Sequence, residues 1–229
     1  MLEQGALSGL KVVELTDRVS GQVAGSFCAR LLGDAGADVV KVEPPEGDAY
    51  RRNGPYPAGA PDPDHSGLFL YLNSNKRGVR LDIESPEGRA AFSDLVSTAD
   101  FLVLGQNSSE VERLGLRREK LAVADSGLIV TTITPFGLAG PNSVYLGDDL
   151  IAISAGGMAF ATPGIPDRVG DLASEPPLRS NTHMAGYLAG VQGAMASLAA
   201  LLSRTIQGTG CEIDLSMQEA VAAVMPFEL

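Results

Sequence analysis

The chain has 229 residues, of which 45% are apolar and 20% charged, the composition of a water-soluble folded protein with room for one large domain or one domain and part of a second. Its net charge of −11 and pI of about 4.6 argue against nucleic acid or an anionic membrane as a general partner, since both are polyanions. Two isolated cysteines, Cys28 and Cys211, make neither a disulfide framework nor a zinc motif and suit a reducing, cytoplasmic setting.

The opening MLEQGALSGLKVVELTD carries acids and no continuous apolar run, so no signal peptide is read there. Residues 10–16 (LKVVELT) are β-branched and apolar and predict a buried strand. Ser20 to Gly25 reads as a turn, and Val23 to Asp34 as a helix with Phe27, Leu31 and Leu32 on one side, stopped at Gly36. Asp38 to Glu43 (DVVKVE) predicts a second strand, parallel to the first across a helical crossover. Pro44 to Gly67 is rich in Pro, Gly and Asp and has no periodicity; connections this long tend to be functional. Two short apolar pieces, Leu68–Leu72 and Val79–Ile83, flank the polar run Asn73–Gly78.

Ser85-Pro86-Glu87 is a helix start, with an N-cap serine, proline at the first helical position and an acid in the first turn, and the helix is expected to run to about Thr98. A strand at Asp100–Leu104 follows, then short helices at Ser108–Leu114 and Glu119–Ala124, and a strand at Leu128–Thr134. Asp148–Gly156 predicts a helix, Pro163–Pro177 a loop, 184–203 a long apolar helix, and Glu212–Leu215 a strand. Ser216 and Glu219 match a capping box opening a last helix toward Pro226. Met184 to Leu202 has no charge and could span a bilayer by length, but it is mostly Ala and Gly with Gln192 at its middle. A buried helix that approaches a neighbour closely through Gly186 and Gly190 is the expectation, so no membrane partner is called. Strands alternating with helices favour an α/β fold, an open, mostly parallel sheet with helices on both faces and a ligand at the carboxyl ends of the strands.

Chemical signatures are few. There is no G-x-S-x-G, no phosphate-binding G-x-x-x-x-G-K-[ST] and no H-E-x-x-H, and His65 and His183 lack metal-ligand spacing, so no metal is expected. The first βα turn, Gly21-Gln22-Val23-Ala24-Gly25, is not G-x-G-x-x-G although Glu43 ends the second strand, so a nicotinamide cofactor is not expected either. Ten of the 17 basic residues lie between Arg51 and Lys120 and offer local anion sites on an acidic chain.

Five segments resemble, in order, the amino-terminal part of family III (CaiB/BaiF-type) coenzyme A transferases. They are the block Leu31 to Glu43 (LLGDAGADVVKVE) after LKVVE, then Pro44 to Arg51 (PPEGDAYR), Asn75 to Asp82 (NKRGVRLD), Ala99-Asp100 with Glu112 to Leu116 (ERLGL), and Thr209 to Met217 (TGCEIDLSM). The resemblance implies a Rossmann-like large domain that binds CoA, covering 1–229, incomplete relative to the family and without its second domain. It implies acyl-CoA and a carboxylate as small-molecule partners, and a homodimer or a heteromer with a family III partner subunit. The activity implied is movement of CoA between carboxylic acids, with a 2-methylacyl-CoA racemase or isomerase and a non-catalytic CoA-binding subunit as alternatives. By position, Gln22, Val23 and Ala24 would lie in the loop near the pantetheine, Leu81 would line the adenine pocket, and Arg113 would pair with a CoA phosphate.

This sequence departs from the family pattern at the nucleophile. The resemblance places the family's nucleophilic Asp at Gly186, between Ala185 and Tyr187, and no Asp or Glu occurs between Glu175 and Glu212. The catalytic residue is therefore unassigned from sequence, and a partner chain would have to supply the carboxylate. His183, just before the helix start, is an acid–base candidate that the sequence alone does not promote.

Overall fold

The computed structural model describes residues 5–16, 22–57, 59, 61–121, 127–162, 178 and 180–225. Six strands form one sheet: β1 (Lys11–Leu15), β2 (Asp38–Glu43), β3 (Lys76–Arg80), β4 (Phe101–Leu104), β5 (Ile129–Thr134) and β6 (Glu212–Ser216). Every pairing is parallel and the spatial order is β3-β2-β1-β4-β5-β6. The order reverses between β1 and β4, which makes the carboxyl ends of those two strands the switch point where such sheets open a ligand crevice. The expected open parallel α/β sheet is what the chain forms.

The central strands are buried on both faces, so they read as continuous apolar runs. On one face Val12, Val39, Phe101, Val103 and Ile133 pack under α1 (Gln22–Asp34). On the other, Val13, Val42, Leu102, Leu104 and Val130 pack under α3 (Pro86–Ser97) and α4 (Ser108–Leu114), which follow the six-residue α2 (Gly67–Leu72) in the chain. The edge strand β3 (KRGVR) departs from the sequence reading, which placed Lys76 to Gly78 in a polar run and began a short apolar piece at Val79. Charged side chains are tolerated because this is an edge, where they also discourage pairing with another chain.

Helix starts follow side-chain chemistry. Ser66, Ser85, Asn107 and Ser216 each accept a backbone N–H of the first turn of α2, α3, α4 and α9 (Met217–Ala222), and Asp148 does so for α6 (Asp149–Ala155). Short α5 (Arg118–Leu121) and α7 (Met158–Ala161) complete the helices before α8 (Met184–Gln207). The loop expected at Pro163–Pro177 lies outside the described residues.

Among the described residues α8 is the one helix long and apolar enough to cross a bilayer. Its small face is buried instead: a Cβ at Gly190 would stand 2.7 Å from the Ala24 carbonyl oxygen, and one at Gly193 2.6 Å from Ile133 Cδ1. The glycines thus let α8 lie directly on α1 and β5, as the G-x-x-x-G spacing predicts. The large residues Met195, Leu202 and Ile206 point outward and are exposed.

Candidate functional site

The carboxyl ends of β1 and β2 place charge inside the fold. Glu14 lies on the face of β1 that carries Val12, and Lys41 on the face of β2 that carries Val39, so strand alternation turns both toward α1. Glu14 is fully buried. Its Oε1 accepts from Lys41 Nζ, Thr16 Oγ1 and Ser26 Oγ, each at 2.7 Å, and its Oε2 accepts from Lys76 Nζ at 2.7 Å. Lys41 also meets Asp48 Oδ2 at 2.8 Å, and Lys76 donates to the Ser26 carbonyl at 2.8 Å and to Asn73 Oδ1 at 3.1 Å. Burial alone would raise the Glu14 pKa, but the two ammonium groups outweigh it and hold the carboxyl well below the usual range. Burial is the largest effect on Lys76 and, against the pull of Glu14, brings it down to about 8. Lys41, with two carboxylates beside it, is raised despite burial.

A second layer continues outward. Arg51 donates from Nε to Glu43 Oε2 at 2.7 Å and from Nη2 to Oε1 at 2.8 Å, a bidentate pair, and its guanidinium lies 3.8 Å from the centre of the Phe69 ring. Asp48 N–H donates to Glu43 as well. The K-x-E, G-D and R elements of the sequence motifs are therefore one connected network that ties the Pro44–Gly67 segment, with its 3-10 turn at Ala49–Arg52, to the sheet edge. A cleft of about 120 Å³ beside it is lined by Lys41, Glu43, Arg51, Phe69, Asn73, Lys76, Arg77 and Gly78.

The amino ends of α1 and α8 meet next to this network. The Tyr50 phenol is raised to about 12, mainly by burial and by Asp48, against a hydrogen bond with the Val23 backbone. Tyr50 stacks edge-on to His183 at 6.1 Å between centroids, and His183 to Tyr187 at 6.4 Å. His183 occupies the N-cap of α8 without a side-chain capping bond. That cap is supplied from another helix: Asp149 Oδ1, in the first turn of α6, accepts the Gly186 N–H at 3.2 Å. Asp149 is 6% exposed, and its Oδ2 is buried with no hydrogen-bond partner.

The residues singled out by position scatter. Gln22, Val23 and Ala24 do not lie in a loop; they form the first turn of α1, where Val23 and Ala24 are buried. The helix read from Val23 thus begins one residue earlier, at Gln22, and α8 covers its first turn. A Cβ at Gly186 would sit 3.2 Å from Val23 Cβ, so position 186 faces packed side chain. Leu81 borders a different, open cleft of about 370 Å³ with Val79, Ala91, Asp94, Leu95 and Thr98. Arg113 is not part of that cleft; its Nη2 pairs with Glu84 Oε1 at 3.2 Å on the surface. Among the described residues no group of His, Cys, Asp and Glu could hold a metal ion.

Sequence reading missed Glu14, Lys76 and Asp149. The signal for Glu14 was present: an acid inside KVVEL, in a strand apolar on both sides, must be paired. For Asp149 there was none, because its partner lies 37 residues away.

The profile of CoA-transferase family III matches residues 7–229. The chain is 33% identical over 218 residues to the succinyl-CoA:(R)-benzylsuccinate CoA-transferase subunit BbsE of Thauera aromatica, covering 95% of this chain and 50% of that protein. It is 34% identical to the succinate–glutarate CoA-transferase of Agrobacterium fabrum, covering 96% of this chain and 52% of that one. A crystal structure of a CaiB/BaiF family protein from Brucella suis superposes with a TM-score of 0.84 at 32% identity, over 98% of this chain and 56% of the other. The chain thus spans about half the length of the curated relatives it matches.

Proposed function

This chain belongs to CoA-transferase family III, and from that premise we propose that it is the CoA-binding domain, residues 1–229, of an assembly that moves CoA between carboxylic acids. The observation that carries the reading is the closed network Glu14–Lys41–Asp48 with Glu43–Arg51 at the carboxyl edge of a doubly wound parallel sheet. It holds rigid the rim where this architecture receives a nucleotide-like ligand. The amino ends of α1 and α8 meet beside that rim and favour an anionic ligand on an otherwise acidic protein.

In this reading the backbone at Gln22, Val23 and Ala24 flanks the pantetheine, since Val23 and Ala24 keep their side chains in the core. Leu81 offers the apolar wall for adenine, and Arg113 exchanges Glu84 for a phosphate of CoA. A second family III polypeptide, identical or different, completes the assembly, and the setting is the cytoplasm. Gly186 favours a second reading, a subunit that binds CoA without turnover, because a side chain there would press on Val23.

The test is calorimetric titration of CoA into the chain, followed by a thioester-exchange assay with succinyl-CoA and a set of carboxylates, alone and with a family III partner subunit. Binding in the micromolar range and exchange in the assembly are expected. No CoA binding overturns the assignment; binding without exchange in any combination selects the second reading.

A further inference from the structure

We infer that the rings of Phe27, Tyr71 and Tyr187 form a corner that selects a planar aryl group on the acyl part of the bound thioester, an inference that rests on reading this chain as a CoA-handling domain. Aromatic residues make up only 5% of the sequence and tryptophan is absent. Three of the five tyrosines, Tyr50, Tyr71 and Tyr187, nevertheless gather with Phe27 and His183 beside the amino ends of α1 and α8.

The Phe27 and Tyr71 rings are nearly parallel, 15° apart with centroids at 6.3 Å. Tyr187 stands across both, at 70° and 4.9 Å from Phe27 and at 82° and 6.2 Å from Tyr71. The three rings come from α1, α2 and α8, so tertiary packing assembles them. A Cβ at Gly190 would stand 3.1 Å from both Cβ and Cδ1 of Phe27, and the bare glycine lets α8 approach closely enough for Tyr187 to reach that ring. Walls near a right angle offer an entering ring a face on one side and an edge on the other, the two arrangements that the aromatic quadrupole favours. A saturated group of the same size gains contact there without that orientational preference.

The corner is rigid and stands at the surface. Tyr71 is 45% exposed, while Phe27 and Tyr187 are half-buried. The Arg30 guanidinium lies 4.0 Å from the centre of the Tyr71 ring and donates from Nη1 to the Tyr71 carbonyl at 2.7 Å. Arg30 is itself held by Asp34, from Nε at 3.3 Å. The exposed ring is thus oriented in advance, which lowers the cost of ordering it around a ligand. Phe27 lies one helical turn beyond Val23, and Tyr187 one turn beyond His183. His183 and Tyr50 continue the string of rings to the rim, where Tyr50 is hydrogen-bonded with the Val23 backbone. A pantetheine following the first turn of α1 would bring its sulfur end to this string, with the acyl group directed into the corner.

The test uses thioethers of CoA, which bind but do not react. Free CoA, S-ethyl-CoA, S-benzyl-CoA and S-cyclohexylmethyl-CoA are titrated by calorimetry into the full chain and into Tyr71→Leu, Tyr187→Leu and Tyr145→Leu. Leucine keeps apolar bulk and removes the ring, and Tyr145, 60% exposed, lies outside the corner. In the parent and in Tyr145→Leu, S-benzyl-CoA is expected to bind about 10-fold more tightly than S-ethyl-CoA and about 3-fold more tightly than S-cyclohexylmethyl-CoA. In Tyr71→Leu and Tyr187→Leu the advantage of benzyl over cyclohexylmethyl disappears. That ratio is taken within each variant, so a general loss of affinity cancels, and the series on the parent decides the selectivity even where a variant fails to fold. Equal affinities for benzyl and cyclohexylmethyl in the parent, or a benzyl advantage that survives both leucine variants, overturn the inference and leave the CoA-binding reading standing. Absence of binding of CoA and of every thioether to the parent removes both.

Discussion

Two buried acids stand on the same side of the sheet and have opposite surroundings. Glu14 has both oxygens filled, by two lysines and two hydroxyls; Asp149 has one backbone partner and one empty oxygen. A carboxylate that is fully paired across three strands holds the frame together, whereas Asp149 ties α6 to the start of α8 through a single oxygen.

The sharpest way to break the comparison is to neutralise each acid in turn. Glu14→Gln leaves the buried Lys76 ammonium without a carboxylate and Lys41 with Asp48 alone, and is expected to cost about 3–5 kcal/mol in urea unfolding, while Asp149→Asn should stay within about 1 kcal/mol of the parent. Equal losses would mean that both acids are structural. Next in size is the α1–α8 contact: Gly190→Ala drives a methyl against the Ala24 carbonyl and is expected to lower stability by about 1–3 kcal/mol, read from the thermal midpoint.

Acid titration tests the role of Glu14 further. Because the folded-state pKa of Glu14 is held below its unfolded value, its contribution is complete above the ordinary glutamate range of about 4.3 and is lost as pH falls from there toward the lower folded value. Stability measured by urea at successive pH values should therefore fall on acidification below about pH 5, and more gently in Glu14→Gln. The smallest stability effect belongs to Arg113→Ala. Its exposed pair with Glu84 is worth about 0.5 kcal/mol or less. The same variant should weaken CoA binding about 5–10-fold if the guanidinium meets a phosphate.

Much of the frame was legible because it depends on local pattern. The apolar runs at β1, β2, β4 and β5, the serine at the start of α3 and the Ser216–Glu219 box each name their element through neighbours within a few residues. β3 was not legible, because its residues are strand only by virtue of the edge that β2 offers. The helix read from Val23 was legible to within one residue, since α1 begins at Gln22, but the burial of Val23 and Ala24 was not, because α8, some 160 residues later, covers them.

The sequence by itself determined the family, the alternating α/β order, the acidic surface and the absence of a carboxylate at 186. Only the tertiary structure decided which charges are spent on the frame and which remain open. Pairing of Glu14 with Lys76, or of Asp149 with the Gly186 N–H, joins residues 62 and 37 positions apart. Electrostatic and hydrogen-bond energies fall off over a few ångströms of space, whereas separation along the chain says nothing of that distance until the sheet and α8 have brought the groups together.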